Sequence, residues 1–184
     1  MPFTVVYDAE ALYGNAHRDL LIHIAQHGLV QAKWTDEILD EMFRNLGKNR
    51  PDIPEERLSR LRGLMNAAVA DCLVTDYEPI IEILELPDPD DRHMLAAAIR
   101  SSAQVIVTRN TKDFPAEKLR PWNIEAKIPD DFVLDQIHID ARIVYACVQE
   151  IASSRTNPPG TVKDVPGELE RAGLVQSVAA LRLG

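Results

Sequence analysis

Four separated stretches of the chain carry acidic or amide side chains where a fold could gather them. Asp8 closes the apolar run Phe3–Tyr7, and Glu41 ends the segment that starts at Thr35. Asp88-Pro89-Asp90-Asp91 opens an alanine-rich stretch, and Thr108-Arg109-Asn110-Thr111-Lys112-Asp113 follows the apolar Val105-Ile106-Val107. Carboxylates brought near one point repel each other and must take up protons or share a cation. A cage of oxygens with open coordination positions suits Mg²⁺ or Mn²⁺. Such an ion activates a water and neutralises charge growing on a phosphodiester, alone or as one of two about 3.5–4 Å apart.

Singly, each residue has an ordinary reading. Asp8 can be a turn residue after a strand, and Glu41 shares its helix with the solvated Asp36, Glu37 and Asp40. Asp90 or Asp91 can cap the helix that follows, and Asp113 can accept in an Asx-turn. Other metals fit less well. The histidines His17, His23, His27, His93 and His138 include no HExxH, and Cys72 and Cys147 alone cannot build a zinc cage. His23 and His27 stand four residues apart and could bracket a metal, but a half-exposed helical pair is the plainer reading. An EF-hand loop starting at Asp88 would need Gly where His93 stands and Glu where Ile99 stands.

Elements that alternate between strand and helix would position these residues. Phe3 to Tyr7 reads as a buried parallel strand, and Asn15 to Gln26 as a helix with Leu20, Leu21, Ile24 and Ala25 on one face. Leu29 to Trp34 reads as a short strand. Thr35 caps a helix with apolar positions Ile38, Leu39, Met42, Phe43 and Leu46, ended by Gly47, and Pro54 starts another. Cys72 to Thr75 reads as a strand, Pro79 to Leu86 as a short helix and Asp91 to Ser101 as a helix. Val105 to Thr108 and Ile124 to Ile128 read as strands. This alternation predicts a three-layer α/β/α sandwich around a mostly parallel sheet, with ligands bound beyond the carboxyl ends of the strands. After Pro129 the strand signals stop. Helical spacing from Asp131 to Ser154, a break at Thr156-Asn157-Pro158-Pro159-Gly160 and a last helix marked by Leu174, Val178 and Leu181 predict a C-terminal helical extension. We divide the chain at 1–134 and 135–184.

Composition narrows the function classes. With 184 residues, 46% apolar and a formal charge of −9, the chain is too apolar to be a disordered tail. No apolar run approaches a membrane span, and Met1 to Asp8 lacks the form of a secretory signal. Two well-separated cysteines in apolar surroundings suit reduced thiols and a cytoplasmic protein. The acidity argues against nucleic-acid binding by bulk charge. Nearly all of it belongs to residues 1–134, yet Arg44, Lys48, Arg50, Arg57, Arg60 and Arg62 make a basic strip within that region. The strip suits an RNA backbone or an acidic partner segment, or is a solvated helix face.

The succession Val5-Val6-Tyr7-Asp8, Thr35 to Glu41, Asp90-Asp91-Arg92-His93-Met94-Leu95-Ala96-Ala97-Ala98 and Val105 to Phe114 resembles the motifs of PIN-domain nucleases, the VapC toxin ribonucleases in particular. The resemblance covers residues 1 to about 134, with the helical tail similar to an extension in a subset of VapC-like proteins. It implies a Mg²⁺- or Mn²⁺-dependent endoribonuclease acting on structured RNA such as tRNA or rRNA, neutralised by a VapB antitoxin and commonly a homodimer. On this resemblance Asp8 is the first acid and Glu41 the second. Asp91 matches the third better than Asp90 does. The fourth position is Asn110 instead of an acid, which weakens a two-metal reading and favours a single ion unless Asp113 supplies the missing oxygen; the Asn110 carbonyl can still coordinate. Asp8 and Asp91 would then hold the metal, and Thr108, Arg109, Asn110 and Lys112 would touch substrate. Two other classes stay open: a PIN fold that binds without cleaving, suggested by Asn110, and an aspartate-based phosphotransfer domain. The latter needs Asp where Glu10 stands or, as a receiver, a late lysine for which Lys112 is a loose match.

Overall fold

The run Phe3–Tyr7 forms the strand β1, and its last three side chains, Val5, Val6 and Tyr7, are buried on both faces. Such continuous burial marks a strand inside a parallel sheet covered on both sides. The computed structural model describes residues 2–155 and 164–183. From β1 the chain continues through α1 (Ala9–Tyr13), α2 (Asn15–Gln26), β2 (Val30–Lys33), α3 (Asp36–Asn49), α4 (Glu55–Ala68) and α5 (Glu78–Ile81). Then follow α6 (Arg92–Arg100), β3 (Val105–Val107), α7 (Ala116–Leu119), β4 (Glu125–Lys127), α8 (Pro129–Ser154), α9 (Asp164–Arg171) and α10 (Val175–Leu183). The sheet order is β2-β1-β3-β4 and every pairing is parallel. Val6 pairs with Lys33 and Tyr7 with Val107, so β1, β2 and β3 end together and Asp8 and Thr108 emerge side by side.

Helices on both faces complete the α/β/α sandwich. Tyr7 stacks near Trp34 and meets Phe132 of α8 edge-on, while its hydroxyl donates to the Leu21 carbonyl of α2. Across the sheet α6 packs on β1 and β3, burying Met94 to Ala98. One apolar cluster runs from β1 through Val144, Cys147 and Ile151 of α8 to Leu169 and Val178, so the C-terminal helices share the core of the sheet domain. The division at 134/135 falls inside α8, which starts at Pro129. The bend in this helix lies farther on, at Asp140 (φ −156°, ψ 95°), whose Oδ1 accepts from the amides of Arg142 and Ile143 and so caps the second half.

Several elements differ from expectation. Helix α3 passes through Gly47 and stops at Arg50, because Pro51 bars a helical conformation to the residue before it. Cys72 to Thr75 makes a single bridge, Leu73 to Trp34, because left-handed Asp71 and Asp76 (φ 53° and 60°) bound the segment too closely for a strand. Pro79 to Leu86 yields only the turn of α5, continued by i to i+3 bonds at Ile83 and Leu84. The short α1 and α7 and the helix α9 are additions to the sequence reading. The expected break at Thr156 to Gly160 lies outside the described residues.

Candidate active site

Backbone and side chain fix Asp8 where β1 ends. Its Oδ1 accepts from the Ala9 amide (2.7 Å), making it the N-cap of α1, and its Oδ2 accepts from the hydroxyl of the fully buried Thr108 (2.8 Å). Thr108 Oγ1 also accepts from the Asn110 amide (3.1 Å), and Asn110 Nδ2 donates to Asp113 Oδ2. One hydroxyl therefore sets both Asp8 and the loop that carries Asp113. From the side, a 3₁₀ turn at Pro89–Asp91 delivers Asp91, with Asp88 capping the turn through the Asp90 amide (2.9 Å).

Asp88, Asp91 and Asp113 each place a carboxylate oxygen within 4.8 Å of the others. The Asp91 carboxyl is pushed up to about 7, first by burial and then by the negative charges of Asp88, Asp113 and Asp8; a hydrogen bond with Asp113 also favours its protonated form. Burial likewise raises Asp8, against the opposing pull of Thr108, the Ala9 amide and His93. Glu41 is raised by burial and by the charge of Asp8. Asp8 thus couples electrically to Asp91 on one side and to Glu41 on the other. Strained ionisation of this kind is what a bound cation relieves. Hard oxygens from three or more carboxylates, with the Asn110 amide oxygen beside them, fit Mg²⁺ or Mn²⁺.

The structure distinguishes among the expected site residues. Asp91 faces the other acids, whereas Asp90 is exposed and contributes its backbone amide to the Asp88 cap. Asp113 joins the cluster and Asn110 orients it. Lys112 is exposed beside it. Arg109 departs from the expected phosphate contact: its guanidinium turns to the C-terminal helices, where Nη2 donates to the Ala172 carbonyl (3.1 Å) and to the His17 ring (2.5 Å). Two of the six cations in the basic strip are paired. Arg50 pairs with Asp52, and Arg62 with Asp36 and Asp40, while Arg44, Lys48, Arg57 and Arg60 enter no ion pair among the described residues. Arg44 lies one turn beyond Glu41 and its charge lowers the Glu41 pKa.

Two residues were not read as site residues from sequence. In the sequence Asp88 groups with the acids that open the alanine-rich stretch but receives no role, and the signal that could have marked it was an Asp-Pro preceding two further acids. His93, 8% exposed in the first turn of α6, acts electrostatically on both Asp8 and Glu41. Its Nδ1 is buried without a hydrogen-bond partner among the described residues, 4.0 Å from Glu37 Oε1. That oxygen accepts from the Tyr77 hydroxyl at 2.9 Å. No spacing rule pointed to it. His23 and His27 do not gather as metal ligands; both face Glu150 of α8, at 3.8 and 2.9 Å. A cleft of about 1330 Å³ runs along β4 past Phe114, Phe132 and Ile139 and is lined by none of Asp8, Glu41, Asp91 or Asp113. Chemistry locates the site here, and cavity size does not.

Comparison with known proteins agrees with this geometry. Residues 129–183 match the family model of the VapC50 C-terminal domain. A protein of Mycobacterium tuberculosis (strain ATCC 25618 / H37Rv), described as "Putative ribonuclease VapC50", is 45% identical over 71 residues. That match spans 39% of this chain and 42% of the relative's length. No solved structure matches the chain. Residues 4–112, more than half of the 184, match the PIN domain model, and the chain belongs to the PIN domain family.

Proposed function

We propose that the protein is a VapC-like endoribonuclease that hydrolyses phosphodiester bonds in RNA with a bound Mg²⁺ or Mn²⁺. The observation that carries this reading is the convergence of Asp88, Asp91 and Asp113 with Asp8 at the carboxyl end of a PIN sheet, where their charges strain one another. Asp8 and Asp91 would hold the ion, with Asp113 and Asp88 completing the oxygen set. The ion would polarise the scissile phosphate and lower the pKa of the attacking water. Thr108 fixes the Asp8 carboxylate through one hydrogen bond. Glu41, half-buried and raised in pKa, is suited to hold a proton from the attacking water. Asn110 fixes the Asp113 carboxylate and leaves its own amide oxygen for the ion or the substrate. Arg44 and Lys112 are the exposed cations placed to meet phosphates beside the site.

A structured RNA such as tRNA or rRNA is the expected substrate, a VapB-like antitoxin the expected inhibitor and a homodimer the expected assembly. Two free, buried thiols suit a reducing cytoplasm. No helix among the described residues is long and apolar enough to cross a membrane. The deciding experiment is Mn²⁺-dependent cleavage of total tRNA by the wild type and by Asp8→Ala. Cleavage that falls to background in the variant supports the assignment, and equal cleavage in both refutes it.

A further inference from the structure

We propose that Arg109 is a positioning residue through which the C-terminal helices hold the metal-binding loop in shape. The side chains from Thr108 to Asp113 divide in two directions. Thr108 and Asn110 turn inward to Asp8 and Asp113, and Arg109 between them turns outward to the corner between α9 and α10. There its guanidinium donates to the carbonyl of Ala172, just past the last residue of α9, where unpaired carbonyls and the helix dipole favour a cation. The other anchor is His17 of α2, 2% exposed. Burial and the neighbouring Arg109 charge lower its pKa to about 4, so its ring is neutral and can accept the Arg109 hydrogen bond.

The same corner is fixed from its other end. Asp130, in the first turn of α8, accepts from the amides of Gln176 and Ser177 (3.0 and 2.9 Å) and from the Ser177 hydroxyl (2.7 Å), capping α10. Between these joints Gly173 takes φ +109°, a conformation that L side chains rarely adopt. Its backbone therefore sets where the Ala172 carbonyl points. A Cβ at Gly173 would stand 3.8 Å from Arg109 Nη1, an ordinary contact, so a substitution there acts through backbone strain and not through collision. Both contacts use Nη2, which is thereby committed to a backbone carbonyl and a buried ring. Arg109 ties the loop bearing Asp113 to the corner between α9 and α10.

Arg109 affects metal binding only if the acids hold an ion, as proposed above, so two readouts are used. The first is Mn²⁺ affinity of the full chain by calorimetry. The second is amide hydrogen exchange at Asn110 and Asp113, which needs no metal. Arg109→Ala and Gly173→Ala are each expected to weaken Mn²⁺ binding about 5- to 10-fold and to speed exchange at both amides. Combining them should add little, because both break one contact. Arg109→Lys, which keeps one donor to the carbonyl, should recover most of the affinity. Gly173→Ala serves as the second probe where Arg109→Ala fails to give a single cooperative melt. Faster exchange in a protein that binds no Mn²⁺ would support the positioning role and remove the metal reading. Wild-type Mn²⁺ affinity and exchange in Gly173→Ala, with Arg109→Ala losing only RNA affinity in a salt-dependent manner, would overturn the proposal and make Arg109 a phosphate contact.

Discussion

Mn²⁺ binding should be strongly pH-dependent because the ion must displace a proton from Asp91. With that carboxyl at about 7, roughly three-quarters of the molecules carry it ionised at pH 7.5 and about 3% at pH 5.5. Apparent Mn²⁺ affinity should therefore fall about 25-fold between these values, and about 0.9 proton should be released per ion bound at pH 6. An Asp91 with the usual carboxylate value near 3.8 would show almost no change over the same range. Calorimetry in two buffers of different ionisation enthalpy measures both quantities. Asp88→Asn removes the largest like charge acting on Asp91, so the ratio of affinities between pH 7.5 and 5.5 should narrow to about 10-fold or less. A raised folded-state pKa means the metal-free folded protein keeps a proton that the unfolded chain loses near 3.8. Metal-free stability should consequently decline as pH rises from about 4 to 7. The full shift would amount to about 4 kcal/mol. Asp91 is partly exposed, so solvent screening should leave about 1–2 kcal/mol. Affinity that stays level from pH 7.5 to 5.5 would refute the argument that these acids are held in electrostatic conflict.

Three further outcomes are expected. Thr108→Val keeps the shape of a fully buried side chain and removes its bond to Asp8; it should cost about 1.5–3 kcal/mol in urea unfolding, and a loss under about 0.5 would mean that Asp8 finds another donor. Asp130→Ala uncaps α10 and should cost about 2 kcal/mol. Hydrogen bonds from Ser177 and Gln176 hold Asp130 below the usual range despite its burial, so the wild-type advantage should be present above about pH 4 and disappear in more acid solution, as comparative melts would show. RNA affinity should depend on salt with a logarithmic slope of about −4, set by Arg44, Lys48, Arg57 and Arg60 of the strip and Lys112 beside the site, none of which enters an ion pair among the described residues, and a filter-binding slope near −7 would require further phosphate contacts.

Local signals were readable where they acted alone. The Thr35 cap of α3 is written in one hydroxyl followed by acids and an amphipathic repeat, and its Oγ1 does accept from the Ile38 amide at 3.0 Å. β1 and β3 were legible as continuous apolar runs because a strand covered on both faces has no polar side. The sequence says least where a distant contact decides. Cys72 to Thr75 has strand composition, but left-handed Asp71 and Asp76 bound it and leave one bridge, Leu73 to Trp34. Arg109 looked like a phosphate contact because its neighbours belong to the site. What draws its side chain away is a carbonyl 63 residues further on, which no spacing rule can supply. His93 escaped notice because a buried helical histidine is unremarkable until the carboxylates of two other elements surround it.

The net charge of −9 takes on a different meaning once these residues are placed. Asp8, Glu41, Asp88, Asp91 and Asp113 account for five of the acidic side chains, and they lie within electrostatic reach of one another. Such a group is unfavourable without compensation, and its burial and mutual repulsion raise the Asp91 carboxyl. A divalent ion would remove two charges there and reverse the local field at the one place where a phosphate must approach. Positive charge elsewhere is spent on structure, in Arg62 between Asp36 and Asp40 and in Arg109 against α9. Among the described residues Arg44, Lys48, Arg57 and Arg60 of the strip stay out of ion pairs and are left to meet the RNA backbone. An acidic protein of this construction would recognise phosphate mainly through its metal, so metal affinity and RNA affinity should rise and fall together.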